Sequence, residues 1–236
     1  MAYDHFGAPI KSTEVALAPF ADSVESSESH SVSERVPMKP VTTLPAVRVA
    51  SSHVRDPMLA ATNLASELSH EHLGCVLFFC SAEYDLGRLG IALEHVFDGV
   101  RVSGCTSAGE ITPDGYGRGC ITAIGFDRRY FSIECALISE LEHFTLHDAQ
   151  GVIDGLLSTC RDAGLASVKG NTFAITLLDG LSSREELVLA TLNAALGTIP
   201  QFGGSAGDDE RLANTHVFFE GRFHTGAATV MLVNTP

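Results

Sequence analysis

Two short Ser-Ala-Gly segments hold the residues of this chain that could do chemistry at a turn. The second lies within QFGGSAGDDE (201–210) and contains the pattern G-x-S-x-G, with Ser205 between Gly203 and Gly207. That spacing is typical of a hydrolase nucleophile elbow, in which the flanking glycines let the chain turn sharply and expose the serine hydroxyl. A Gly-rich turn with no catalytic role has the same residue pattern, so the surrounding sequence must distinguish a nucleophile elbow from a structural turn.

The first segment, GCTSAGE (104–110), argues against a nucleophile elbow. Cys105 stands where the second segment has Gly203, so the pattern becomes C-x-S-x-G. An elbow of the α/β-hydrolase type also needs an acid and then a histidine on later strands. The histidines after Ser205 are His216 and His224, which lie in or beside the predicted strand pair directly after the turn. We therefore interpret both segments as turns whose hydroxyl and N–H groups can bind a polar ligand.

Alternating apolar strands and amphipathic helices must position these turns. From Ala46 the pattern predicts strand, helix, strand, helix and strand, then two strands without a helix, then helix, strand, helix and three strands. The SSRE segment (182–185) predicts a helix N-terminus with a serine cap and acids in the first turn. The order of elements predicts the α/β class with a mixed sheet.

An internal repeat relates the two halves of this pattern. The offset that superimposes Ser205 on Ser107 also places TFAITLL (172–178) on GCVLFFC (74–80) and the predicted helix 183–195 on residues 85–97. We therefore expect two pseudo-repeated units of helix, strand, helix, strand, turn and strand that share a mixed sheet.

Composition and charge narrow the function classes. The 236 residues contain 15 Lys and Arg against 29 Asp and Glu, a net charge of -14, which argues against nucleic acid and anionic membrane surfaces as partners. No apolar run has the length of a membrane-spanning helix, and the N-terminus lacks the apolar core of a signal peptide. The six cysteines lack the density of a disulfide scaffold and the spacing of zinc ligands, so we expect reduced thiols in a cytoplasmic protein.

Residues 1–43 differ in composition from the rest of the chain. The segment ADSVESSESHSVSERVPMKP (21–40) is rich in Ser, Glu and Pro and has no sustained periodicity. Such a segment buries too little apolar surface to offset the entropy lost on ordering. We predict a disordered tail over 1–43 and a folded domain over 44–236.

The two turns and their following strands resemble the N-terminal half of the FIST sensory domain over residues 47–233. The resemblance is carried by GCTSAGEI, and by GGSAGDD followed by T-x-V-F-x-x-G and an apolar strand. It implies a ligand-sensing module of signal transduction for small molecules such as amino acids, with haem as a cofactor in members that sense nitric oxide. Because the family's N-terminal half is normally followed by a C-terminal half, the resemblance also implies a separate C-terminal FIST half or a signalling output protein as partner.

Polar residues near the ends of the predicted strands form the candidate site, because ligands of open α/β sheets bind beyond the carboxyl ends of strands. The residues expected to bind the ligand are Cys105, Thr106, Ser107, Asp179, Ser205 and Asp208. A structural role competes at each position: Asp179 can close a turn, and Asp208 can accept from N–H groups of its own turn. The N–H groups beside Cys105 could lower its pKa and make it reactive, whereas a buried thiol is the alternative.

These residues favour a non-catalytic domain that binds a small polar ligand at Gly-rich turns, and the resemblance to the FIST family implies that the ligand is amino acid-like. Two alternatives stay open. One is a haem-binding nitric oxide sensor, in which His216 or His224 has the apolar neighbours that an axial ligand needs. The other is a hydrolase with Cys105 or Ser205 as its nucleophile.

Overall fold

The computed structural model, which describes residues 45–209 and 211–236, contains four α-helices and twelve strands. The four helices and nine of these strands follow the predicted order, and three short strands were not predicted. The predicted tail over 1–43 lies outside the described residues. The helices are α1 (Pro57–Leu68), α2 (Leu86–Val96), α3 (Leu146–Ala163) and α4 (Glu185–Leu196). The strands are β1 (Val47–Ser52), β2 (Leu73–Ser81), β3 (Arg101–Ser107), β4 (Glu110–Thr112), β5 (Gly115–Gly117), β6 (Ile121–Asp127), β7 (Ser132–Ile138), β8 (Thr172–Leu178), β9 (Gln201–Ser205), β10 (Val217–Phe219), β11 (Arg222–His224) and β12 (Ala228–Asn234).

Short polar side chains define where the helices begin. Asp56 and Asp85 cap α1 and α2, and each carboxylate accepts from the backbone N–H three residues later. The predicted serine cap of α4 is wrong. That helix begins at Glu185 after Arg184, and the hydroxyl of Ser182 accepts from the Arg184 N–H at 3.2 Å in the preceding turn. The acidic first turn of α4 is confirmed.

Two mixed sheets carry the long strands. The first has the order β1-β6-β2-β3-β10-β11 and the second the order β7-β12-β8-β9. In both β1-β6-β2-β3 and β7-β12-β8-β9, the first two pairs are antiparallel and the last is parallel. The predicted α/β class with mixed strand pairing is therefore confirmed. The duplication of one unit stays a prediction.

The long strands form two separate sheets, whereas the sequence had predicted one shared sheet; β10 and β11 follow β9 in the chain but join the first sheet through β3. Apolar clusters lie between the first sheet and helices α1 and α2, and between the second sheet and helices α3 and α4. A third cluster lies between the two sheets and includes Leu77 of β2 and Met231 of β12. Since β12 is buried along its whole length, both of its faces need an apolar cover. Four layers, helix, sheet, sheet and helix, provide that cover.

A short hairpin that the sequence analysis did not predict follows β3. Strands β4 and β5 pair antiparallel, with Ile111 opposite Tyr116. The turn between them is TPDG (112–115), and Gly115 has a φ of 116°. Pro-Asp-Gly between short strands is a turn signal that could have located this hairpin.

None of the helices in residues 45–209 and 211–236 has the length and apolar character needed to cross a membrane.

Candidate ligand-binding site

The two Ser-Ala-Gly turns lie side by side in the structure. The N–H of Gly207 donates to the carbonyl of Thr106 at 2.9 Å, and the N–H of Asp209 donates to the carbonyl of Ser107 at 3.3 Å. Gly207 also packs so closely on the first turn that a Cβ added to it would lie 2.7 Å from the nitrogen of Ala108. This contact, called the turn junction below, joins the end of β3 to the segment that follows β9.

Asp209 holds the end of β2 at the same turn junction. Its carboxylate accepts from the Ser81 hydroxyl at 2.8 Å and from the Ala82 N–H at 2.9 Å. Its backbone adopts a left-handed φ of 56°, a conformation that Asp tolerates better than most residues. The sequence analysis did not include Asp209 among the candidate residues, and only its position next to Asp208 gave a signal.

Cys105 and Thr106 are buried in the layers of the fold. Cys105 belongs to the apolar cluster between the two sheets, and burial raises the pKa of its thiol to about 12. This is the opposite of the lowered pKa that a reactive cysteine needs. The Thr106 side chain accepts from the His216 N–H at 3.0 Å, so it supports the pairing of β3 with the segment before β10.

Asp179 and Asp208 use their carboxylates in hydrogen bonds to other parts of the protein, Asp179 across distant segments and Asp208 within its own loop. Asp179 accepts from the Thr215 hydroxyl and from the Gly226 N–H. Asp208 accepts from the N–H groups of residues 212–214, and these bonds lower the pKa of its carboxyl. Both acids are buried, and their contacts favour the competing structural role over ligand binding.

Ser205 and Ser107 lie beside different cavities. Ser205 is exposed at the end of β9, where its hydroxyl donates to the Glu185 carboxylate at the start of α4. Glu185 and Gly204 line a cavity of about 620 Å³ at that place. Ser107 lines another cavity, on the first sheet. The structure therefore joins the two turns through their backbones, while their serine side chains point to separate places.

The cavity beside Ser107, called the hairpin cavity below, lies between the β4–β5 hairpin and strands β1, β2 and β6. Its volume is about 650 Å³, within the range of small-molecule sites. Its apolar wall consists of Val49, Phe79, Ile111, Pro113 and Ile124. Its polar side chains are those of Ser107, Glu110, Thr112 and Thr122. A few convergent polar groups on an apolar wall are typical of a small-ligand site.

Among the residues that the structure describes, Glu110 is the one ionisable side chain in the wall of the hairpin cavity. Its carboxylate accepts from the Ser107 hydroxyl at 2.9 Å and from the Cys120 thiol at 3.1 Å. The residue is 1% exposed, and burial raises the pKa of its carboxyl above the ordinary value. Sequence reasoning quoted Glu110 within GCTSAGEI but gave it no role. An acid placed directly after a turn, on a strand that continues with Ile111, was the available signal.

Gly109 lets the hairpin fold back over the first turn. Its φ is 131°, and a Cβ there would collide with the Tyr116 ring. The Tyr116 hydroxyl in turn donates to the carbonyl of Ala108 at 3.2 Å. This glycine therefore sets the position of the hairpin that closes the cavity.

The hairpin cavity and the cavity beside His216 do not fit haem. The hairpin cavity has an apolar wall, but the residues that line it include no His, Cys, Met or Tyr to serve as an axial ligand. His216 lies beside a cavity of about 350 Å³ whose wall also includes Asp208, Arg211 and Asn214. Neither of these two cavities therefore combines an axial ligand with a large apolar wall. Within the part of the chain that the structure describes, no cluster of three or more His, Cys, Asp or Glu could hold a metal ion.

A comparison with protein-family models agrees with the resemblance seen in the sequence. A family model described as the FIST N domain matches residues 74–236. No curated protein matches the chain. Among solved structures, a cyanuric acid hydrolase from A. caulinodans is similar at 11% sequence identity with a TM-score of 0.41, over 82% of this chain and 72% of that one.

Proposed function

Because the chain belongs to the FIST N domain family, we propose that it senses a small ligand, which binds in the hairpin cavity and is not chemically changed there. Domains of this family generally sense small ligands in signalling. The observation that carries the proposal is the position of the cavity. Ser107 lines it, and the turn that contains Ser107 is hydrogen-bonded to the second turn at the turn junction.

A ligand bound in that position would contact a turn that is hydrogen-bonded to segments of both sheets. A ligand that contacts Ser107 or Glu110 acts on the end of β3, which the N–H groups of Gly207 and Asp209 tie to the segment after β9. A small shift of the first turn is therefore transmitted to the second turn by direct hydrogen bonds. The proposed receiver of this change is a C-terminal FIST half or a signalling output protein, as the sequence resemblance implies. A cytoplasmic location stays a prediction.

The chemistry of the candidate nucleophiles supports binding over hydrolysis. With a pKa of about 12, the Cys105 side chain is a protonated thiol at neutral pH. The hydroxyls of Ser107 and Ser205 donate to the carboxylates of Glu110 and Glu185, and not to a histidine base. A serine nucleophile needs a base that removes its proton and an N–H pair that stabilises the oxyanion.

Thermal unfolding with a panel of amino acids, small carboxylates and amines tests the proposed function. A ligand present at 100 times its dissociation constant should raise the free energy of unfolding by about 2.7 kcal/mol. Val49→Trp should abolish this stabilisation, because Val49 lines the cavity at the exposed edge strand β1. Val47→Trp is the matched control, since Val47 lies two residues away on the same face of the same strand.

Two results would contradict the proposal. One is a folded wild-type protein that no member of the panel stabilises. The other is equal ligand stabilisation in Val49→Trp and Val47→Trp, because the ligand would then bind elsewhere.

A further inference from the structure

Glu110 brings a buried carboxyl group without a cationic partner among the described residues to the hairpin cavity. The two side chains that donate to it, Ser107 and Cys120, are both neutral. No Lys or Arg forms an ion pair with it within residues 45–209 and 211–236, and the charge of Asp209 further disfavours its ionised form. A buried charge without a counterion is costly, so a cation that enters the cavity would relieve a cost already present in the protein.

The hydroxyl groups in the cavity wall have already used their hydrogens within the protein. Ser107 donates to Glu110, Thr112 donates to the carbonyl of Gly115 at 2.9 Å, and Thr122 donates to the carbonyl of Ala50 at 3.4 Å. A hydroxyl has one donor hydrogen and two acceptor lone pairs. These hydroxyl groups can therefore only accept hydrogen bonds from a ligand, and the ligand must supply the donor groups.

The wall also lacks a partner for an anion. The side chains that line the cavity within the described part of the chain include no Lys, Arg or His. A free amino acid would place its carboxylate against Val49, Phe79 or Ile124, where no side-chain donor would meet it. Burial of an unpaired carboxylate is unfavourable, and the class of ligand expected from the sequence must be narrowed accordingly.

From this arrangement we propose that the hairpin cavity selects monoamines: ligands with one ammonium group on an apolar body and no carboxylate. The proposal rests on the proposed function, since it names the ligand class of the same cavity. The ammonium donates to the Glu110 carboxylate, whose negative charge it neutralises. The apolar body packs on Val49, Phe79 and Ile124, which lie on one face of the first sheet.

Titration calorimetry with four probes that share one phenyl-ethyl body tests the charge preference. The probes are 2-phenylethylamine as the cation, 2-phenylethanol as the neutral analogue, 3-phenylpropanoate as the anion and phenylalanine as the zwitterion. The amine should bind roughly tenfold or more tightly than the alcohol, and the anion and the zwitterion should bind more weakly than the amine by at least the same factor.

Glu110→Gln removes the charge while it keeps the shape of the side chain. The affinity for the amine should fall to that for the alcohol, and the affinity for the alcohol should stay unchanged. Asp114→Asn is the matched control, because it removes one negative charge from an exposed position of the same hairpin. It should change the affinity for the amine less than about twofold, since an exposed charge is screened by salt.

Val49→Lys keeps the test decisive if Glu110→Gln fails to fold. Val49 is 48% exposed on the wall of the cavity, so a lysine is tolerated there and places a positive charge at the site. This variant should lose the amine and should bind 3-phenylpropanoate more tightly than the wild type does.

Several results would overturn the proposal. If the amine and the alcohol bind with equal affinity, and Glu110→Gln changes neither affinity, the ligand is not selected as a cation. The hairpin cavity would then still be the ligand site. Preference for 3-phenylpropanoate, or no binding of any of the four probes, would overturn the proposal as well. The proposed function itself would fall only if the wider panel of compounds also fails to stabilise the wild type.

Discussion

Replacement of Gly207 by Ala should force the two Ser-Ala-Gly turns apart, because the turn junction has no space for a Cβ. That atom would lie 2.7 Å from the backbone nitrogen of Ala108 and 3.0 Å from the carbonyl carbon of Ser107. Both are backbone atoms at the end of a strand, so they cannot move aside as the tip of a flexible side chain would. The expected cost comes from this contact, since Gly207 is not among the described glycines with positive φ.

The magnitude follows from the contact and from the hydrogen bonds beside it. An extra methyl group in a closely packed site costs about 1 to 3 kcal/mol. Separation of the turns also weakens the bonds from the N–H groups of Gly207 and Asp209, and each such bond contributes about 0.5 to 1.5 kcal/mol. We therefore expect Gly207→Ala to lower the free energy of unfolding by about 2 to 4 kcal/mol, a large part of the total for a typical domain.

Urea denaturation at equilibrium measures this loss, and Gly204→Ala provides the control. Gly204 belongs to the same Gly-rich segment, but nothing lies within 4 Å of a Cβ added there. Its replacement should change the free energy of unfolding by less than about 0.5 kcal/mol. Equal unfolding midpoints for Gly207→Ala and Gly204→Ala would refute the argument that close approach of the two turns requires a glycine.

Three further predictions concern buried acids and the candidate nucleophiles. The backbone and guanidinium of Arg129 donate to the buried Asp127 carboxylate and hold its pKa at about 2. Since a carboxyl with a depressed pKa stabilises the fold above its unfolded pKa, about 1 to 2 kcal/mol of stability should be lost as the pH falls from about 4 to 2. Asp127→Asn should lack this loss in urea titrations, and equal pH dependence in both proteins would contradict it. Asp208→Ala should speed hydrogen exchange at the amides of residues 212–214, which lose their acceptor; unchanged exchange would show that these bonds do not hold the loop. Cys105 should react with iodoacetamide only after unfolding, and Ser205→Ala should hydrolyse p-nitrophenyl acetate at the wild-type rate; reaction of native Cys105 or loss of ester turnover would favour a hydrolase.

The helices and long strands could be predicted from the sequence because their patterns are local. Strand β2 is a continuous apolar run, and α3 has the apolar spacing of a helix with one buried face. The cap of α4 was wrong for a local reason as well. Ser182 lies in a turn in which its own N–H donates to the carbonyl of Asp179, and the helix starts at Glu185, two residues after the predicted start at residue 183.

The candidate site could not be predicted in full because it depends on how far one sheet covers the other. Cys105 and Ser107 are two residues apart on β3 and therefore lie on the same face of the first sheet. Cys105 is covered by the second sheet, whereas Ser107 lines the hairpin cavity. The sequence of β3 does not indicate which of its residues the second sheet covers, because the packing of the two sheets determines this. The residues named from the sequence therefore lie near strand ends, as predicted. Their side chains contact different parts of the protein and do not line one shared cavity.

The two Ser-Ala-Gly segments also show that identical short sequences can have different structural roles. Gly109 is needed for a φ of 131° that folds the hairpin over the first turn, whereas Gly207 is needed because the first turn lies against it. The acids that follow the two segments differ in the same way. Glu110 lines the hairpin cavity, while the carboxylate of Asp208 is occupied by the amides of its own loop. In the proposed function, the first turn is therefore the part of the turn junction that contacts the ligand, and the second turn is the part that responds.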